Sequence, residues 1–115
     1  MTIEIIKNQI SKSALSDIAK NQFGDFVKAA VDVEKEIMAI GGELHADCEA
    51  VLLEEGSRQE NVWGINLYVE KGENEWIEFN SMINVRPSRG NKSRGVEDEG
   101  VREKIRGVVK KIVSA

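Results

Sequence analysis

A change of hydrophobic period at Gly41-Gly42 limits what this chain can fold into more than any other feature. Before it, Leu15, Ala19, Phe23, Phe26, Ala30, Val33, Ile37 and Ile40 recur every three or four residues, the spacing of one stripe on a helix. Ser11 and Ser13 offer N-cap oxygens, Gly24 interrupts the series at about 1 kcal/mol relative to Ala, and Asp25 can recap a second segment. The spacing predicts a long N-terminal helix, kinked or in two pieces, ended by the glycine pair. Beyond the glycines the period is 2. ELHADCEAVLLE, residues 43 to 54, sets Leu44, Ala46, Cys48, Ala50 and Leu52 on one face and Glu43, His45, Asp47 and Glu49 on the other. VWGINLYVE, residues 62 to 70, turns Trp63, Ile65, Leu67 and Val69 inward, and the stretch up to Arg86 turns Ile77, Phe79, Ser81, Ile83 and Val85 inward. Strands over 43–54, 62–70 and 75–86 then follow as an antiparallel meander, with TIEII at residues 2 to 6 as an extra N-terminal edge strand. Pro87 cannot donate to a ladder and ends the third strand. A C-terminal helix opens at Glu97 or Asp98 and carries Val101, Ile105, Val108, Val109 and Ile112 on its apolar face. The expected class is α+β: a meander of three main strands packed against a long N-terminal helix and a C-terminal helix.

A chain of 115 residues sustains one core and not two, so a single domain over residues 1–115 is expected. Its longest apolar run, Ala50 to Leu53, falls far short of the roughly 20 residues that cross a bilayer, and MTIEIIKNQ lacks the apolar stretch of a secretory signal. These readings favour a cytoplasmic protein with no membrane partner. The single cysteine, Cys48, permits no internal disulfide and no CxxC zinc pair, and its parity places it in the core. No cofactor and no metal site is expected.

Charge is distributed unevenly. Residues 1 to 85 hold 7 basic and 16 acidic side chains, a balance of −9, and residues 86 to 115 hold 9 and 4, a balance of +5, which together give the net −4. The basic part begins with RPSRGNKSRG, where Arg86, Arg89, Lys92 and Arg94 lie close together without an acid between them. Arginine forks bind phosphate or carboxylate oxygens bidentately, and the backbone N–H groups of a glycine-containing loop add to them. Arg86, Arg89, Asn91, Ser93 and Arg94 are therefore candidate anion-binding residues. The competing reading pairs the arginines with Glu54, Glu55 and Glu60 on the neighbouring hairpin loop. There is no GxxxxGK[ST] motif.

His45, Asp47 and Glu49 have the spacing of an acid–base cluster on one strand, but neighbours about 6 to 7 Å apart are loose for three ligands on one metal ion. His45 is the only histidine, so imidazole proton transfer near neutral pH has to use it, with Asp47 as the other candidate catalytic group. Matching parities across the hairpins pairs Tyr68 with Glu78 and Asn66 with Asn80. The outer sheet face then carries a polar platform of His45, Asp47, Glu49, Asn66, Tyr68, Glu78, Asn80 and Asn84. The same register puts His45 and Arg86 on the order of 30 Å apart, at opposite ends of the sheet.

The segments GGELHADCEAVLLEEGSRQENVWGINLY and SMINVRPSRGNKSRGVED, with a closing REKI helix, resemble the bacterial domain-of-unknown-function family 5674 over nearly the whole chain. That resemblance implies a cytoplasmic, single-domain protein and carries no activity, cofactor or catalytic residue. Three functions stay open: a binding module whose basic loop engages a phosphate-bearing ligand or nucleic acid; a small hydrolase or toxin-type nuclease using His45 or Asp47; and a structural or interaction protein. Acidic overall balance and 5% aromatic content weigh against nucleic acid, whose non-specific binders are basic and offer stacking platforms.

Overall fold

The computed structural model describes residues 2–114. A five-stranded antiparallel sheet is ordered β1 (Glu4–Ile6), β4 (Ile37–Ile40), β3 (Phe26–Asp32), β5 (Val62–Tyr68), β6 (Ile77–Glu78), and a short parallel pair joins β2 (Ile10–Ser11) to β7 (Val113–Ser114). Helices α1 (Lys12–Asn21) and α3 (Glu99–Ile112) cover one face, where Leu15, Ile105 and Ile112 pack on Val27, Val31, Ile65 and Leu67. Helix α2 (His45–Glu54) covers part of the other face, with Cys48 and Leu52 against Ala30, Ala39 and Val62. The α+β class, with an antiparallel sheet packed by an N-terminal and a C-terminal helix, is the one expected from the sequence.

The residues that supply these elements differ from the periodic reading in three places. The stripe from Leu15 to Ile40 is helical only to Asn21, where the Gln22 and Gly24 N–H groups both return to the Ala19 carbonyl. Phe26 to Ile40 is instead the β3–β4 hairpin. Asp32 shapes its turn by accepting from the backbone N–H groups of Glu34 and Lys35, each at 2.9 Å, an Asx-type geometry that competes with helix. Both faces of this hairpin are covered, so Ala29, Ala30, Val31 and Asp32 are all buried and the alternation that marks a one-sided strand is lost. Gly41 therefore ends a strand and not a helix. Its φ is +98°, and a Cβ there would lie 2.5 Å from the Thr2 carbonyl oxygen.

Residues 45 to 54, expected as a strand, form α2. The segment is rich in Ala, Leu and Glu, and Cys48 and Leu52 are one turn apart and fully buried, so a period of 3.6 satisfies the core with better helix formers than a period of 2 requires. Cys48 does face the core, as expected, although from a helix, and its burial pushes the thiol pKa up. The third strand is reduced to Ile77–Glu78, followed by single 3₁₀ turns at Met82–Asn84 and Pro87–Arg89. The register Asn66↔Glu78 is two residues from the expected one, which preserves the shared face of Asn66, Tyr68 and Glu78. TIEII does supply the edge strand, and Asp98 caps α3 by accepting from Val101 N–H at 3.1 Å.

Because β6 is so short, the outer edge of β5 is finished by side chains. Beyond the ladder at Asn66, the Asn84 carboxamide accepts from Gly64 N–H at 2.8 Å and donates to the Gly64 carbonyl at 3.0 Å, as a strand backbone would. Two residues further along, the Arg86 guanidinium donates to the Val62 carbonyl. The segment lies so close that a Cβ on Gly64 would sit 2.6 Å from Ser81 Cβ. Asn84→Leu should then strand the buried Gly64 groups and cost about 1–3 kcal/mol, and Gly64→Ala a similar amount through overpacking. Urea denaturation of both variants checks this, and a parent-like midpoint for Asn84→Leu would contradict the edge assignment.

Candidate functional site

The basic loop folds largely around itself. Arg86 and Asn91 bridge antiparallel, and the buried Asn91 carboxamide donates to the carbonyls of Asn84, Ser93 and Gly95 at 2.7, 3.1 and 2.8 Å while accepting from Glu97 N–H at 2.9 Å. The Glu97 carboxylate takes the backbone N–H groups of Lys92 and Ser93, each at 2.8 Å. Hydrogen bonds from Ser93, side chain and backbone, and from the Lys92 N–H hold its pKa below the ordinary value. The concave N–H array that the sequence offered to a ligand thus already holds an internal carboxylate. Ser93 Oγ accepts from Gly95 N–H at 3.2 Å, so Asn91 and Ser93 both shape the loop.

Arg86 is deeply engaged. Its side chain is 10% exposed, stacks on Trp63 at 4.5 Å, donates from Nε to the Ile83 carbonyl at 3.1 Å, and pairs with Glu49, itself 13% exposed, at 3.8 Å. The acid beside it is Glu49, and among the described residues none of the loop's cations pairs with Glu54, Glu55 or Glu60, Glu55 pairing instead with Lys7 at 3.6 Å. Burial lowers the Arg86 pKa against the opposing pull of Glu49. Arg89, by contrast, is exposed on the rim of a cleft of about 400 Å³ that Arg86, Glu49 and Glu60 also line. Replacing Arg86 by Ala should therefore cost about 3–5 kcal/mol, because Glu49 is left buried without its partner. Arg89→Ala should stay within about 0.5 kcal/mol of the parent. Equal effects in thermal denaturation would refute this division.

The expected 30 Å gap between His45 and the arginines does not exist. His45 and Glu49 are one turn apart on α2, and Glu49 meets Arg86, so α2 brings the two regions onto one helix face. The separation came from reading residues 43–54 as a strand. His45 opens α2, and its Nε2 donates to the Ile65 carbonyl at 2.9 Å, which fixes the tautomer and leaves Nδ1 as the lone-pair nitrogen. Beside the ring lies Asn66, 6% exposed, whose Nδ2 donates to Glu78 at 2.8 Å and to the Asn80 carbonyl at 3.3 Å. Lys28, Asn66 and Glu78 form a row in register across β3, β5 and β6. Tyr68 reaches Glu78 at 3.4 Å.

Asp47 lines an open cleft of about 640 Å³ that it shares with Ile3, Phe23, Lys28, Glu43 and Leu44. His45, Asp47 and Glu49 therefore do not converge, and no group of three or more His, Cys, Asp or Glu among the described residues could hold a metal ion. Sequence reasoning missed Lys28, which it placed on a helix. Because both faces of VKAAVD are covered, its sequence carries no alternation that could have placed Lys28 on a strand.

The His45 pKa is lowered, first by burial and then by the positive charges of Lys28 and, least, Arg94, against the opposing hydrogen bonds of Ile65 and Asn66. Two cations distant in sequence thus bear on one imidazole at the start of α2. Between the lowered folded value and the ordinary 6.5, the unfolded chain binds more protons than the folded one. Stability is accordingly full above about pH 6.5 and falls as pH drops through that window. Urea midpoints at pH 7.5 and 5.5 should differ more for the parent than for His45→Gln, the double difference removing the carboxylate contribution. An unchanged difference would contradict the burial of the ring.

No curated protein and no solved structure matches the chain. Among families, the one described as "Protein of unknown function (DUF5674)" matches residues 4–112, which agrees with the resemblance carried by the LHADCE and INVRPSRGNKS segments. The chain belongs to the DUF5674 family.

Proposed function

We propose that this protein is an anion-binding module for a phosphate-bearing ligand, held where Lys28 and Arg94 approach His45 at the start of α2. The observation that carries this reading is Lys28, which lines the cleft at the start of α2 with its Nζ donating to the Glu43 carbonyl at 2.9 Å, and whose charge, with that of Arg94, disfavours protonation of the single histidine. Of the basic-loop residues, Arg94 is exposed and has no ion pair among the described residues, whereas Arg86 and Asn91 are committed to the sheet edge and to the loop. Helix α2 begins at Leu44 without a side-chain cap, so its first-turn N–H groups add favourable polarity for an anion. Arg89 serves as a rim charge that attracts the ligand without holding it. The protein works in the cytoplasm in this reading, where a lone buried thiol such as Cys48 stays reduced.

A second reading, hydrolysis of a phosphate ester, draws on one further observation: the His45 ring is oriented by a carbonyl and kept neutral near pH 7, the state of a general base. Asp47 faces the neighbouring cleft and is not hydrogen-bonded to His45, so His45 would act without it. Turnover of a simple phosphodiester that disappears in His45→Ala would favour this over binding alone.

Because His45 is the only histidine, its ring proton resonance reports the site directly. Adding inorganic phosphate at low salt should raise the His45 pKa, since a nearby anion favours the imidazolium. The melting temperature should rise too, and both effects should weaken as salt is added. Lys28→Ala and Arg94→Ala should each reduce the response, and Arg89→Ala should leave most of it. An unmoved titration and an unchanged melting curve at low salt would overturn the proposal.

A further inference from the structure

Resting on that anion site, we infer that the ligand carries an aromatic base beside its phosphate: a nucleotide, free or within a single strand, whose base enters the cleft between Phe23 and Leu44. Overall aromatic content is low, yet three of the six aromatic rings stand in one row on the α2 side of the sheet. Phe23 stacks on Phe26 at 4.8 Å and 13°, and Phe26 stacks on Tyr68, its partner across β3 and β5, at 5.1 Å and 30°. Each outer ring of the row meets a lysine ammonium, Lys28 over Phe23 at 4.8 Å and Lys71 over Tyr68 at 4.6 Å. A base stacking on Phe23 would take the place of the Lys28 ammonium, which donates to the Glu43 carbonyl at 2.9 Å and remains close enough to pair with the attached phosphate. Bases stack on aromatic faces without regard to sequence, and cations beside the stack track the phosphates.

The cleft beside Phe23, of about 640 Å³, falls within the range that takes small ligands. Phe23, Ile3 and Leu44 make its walls apolar, and Leu44 is 57% exposed, as a side chain waiting for an apolar cover would be. Lys28 lines the same cleft, where its Nζ donates to the Glu43 carbonyl at 2.9 Å and lies over Phe23, so base and phosphate sites join at one residue. Glu43 and Asp47 on the rim repel a bare polyanion. They accept hydrogen bonds from ribose hydroxyls or an exocyclic amino group, which favours a monophosphate with its nucleoside over multiply charged phosphates.

The test titrates the full chain with inorganic phosphate, adenosine, adenosine 5′-monophosphate and a short single-stranded oligoadenylate, reading the His45 resonance and heat of binding. The monophosphate should bind about tenfold or more tighter than phosphate, the effect of one base stack. Phe23→Ala should reduce it to the level at which the same variant binds phosphate, and Phe23→Tyr should restore the gain. Should Phe23→Ala lose its fold by circular dichroism, Leu44→Ser, at an exposed position, should weaken the monophosphate alone. Tighter binding of the oligoadenylate identifies a strand as the source, and equal binding identifies the free nucleotide. Equal affinity for monophosphate and phosphate overturns this inference and leaves the anion site standing. Failure of phosphate itself to bind overturns the anion site, and adenosine binding as well as its monophosphate shows a base pocket without one.

Discussion

The outer edge of β5 has to be closed, and it is closed by side chains. An edge strand leaves alternate N–H and C=O groups unpaired, and burying them without partners costs more than most single contacts return. Here β6 pairs with two residues only, Asn66 and Leu67. The Asn84 carboxamide at Gly64 and the Arg86 guanidinium at Val62 continue the ladder in steps of two residues. Asn84 Nδ2 also donates to the Arg94 carbonyl at 3.0 Å, and Ser81 N–H does so at 2.9 Å. The same contacts that finish the sheet therefore fix the backbone from which the exposed Arg94 side chain projects.

The length of α2 divides the second face of the sheet into a dry part and a polar part. Ten helical residues span about 15 Å, enough to cover Ala30, Ala39 and Val62 with Cys48 and Leu52. Lys28, Asn66, Tyr68 and Glu78 lie on the same face near the start of the helix, where no apolar side chain of α2 reaches. Within this polar row Glu78 accepts from both Asn66 and Tyr68, which lowers the cost of placing them there. His45, half-buried at the boundary, takes a backbone carbonyl for its proton and is kept from charging by burial and by the two cations.

The basic C-terminal part finds its counter-charges mainly within α3 and in two pairs that cross to the acidic body. Arg106 bonds Glu99 and Glu103 along α3, Lys111 crosses to Glu36 at 2.8 Å, and Arg102 and Arg106 both lie over Phe79. Exposed pairs of this kind contribute about 0–1 kcal/mol each. The buried Arg86–Glu49 pair differs in kind, since it is tied to the edge of the sheet and to Trp63. A charge cluster in sequence is thus divided by the fold into structural cations and a few that remain outward.

Local rules sufficed where an element shows one face to water or carries its own cap. The edge strand at Glu4–Ile6, the alternation of β5, and α3 with its Asp98 cap, acidic start and Lys110-Lys111 end were all legible in that way. Buried Cys48 was legible too, because periods of 2 and 3.6 both send it inward. The β3–β4 hairpin and α2 were not, since a strand covered on both faces loses its alternation, and a short segment of small and apolar residues fits either period. Lys28, Phe23 and Phe26 could join the site only once that hairpin existed. The chain itself determined that Arg86 and Asn84 would stand two residues apart beside a cluster of positive charge. Whether they bind a ligand or complete a sheet was decided by tertiary structure alone, because the carbonyls and N–H groups that engage them, at Val62 and Gly64, lie 20 residues or more away along the chain.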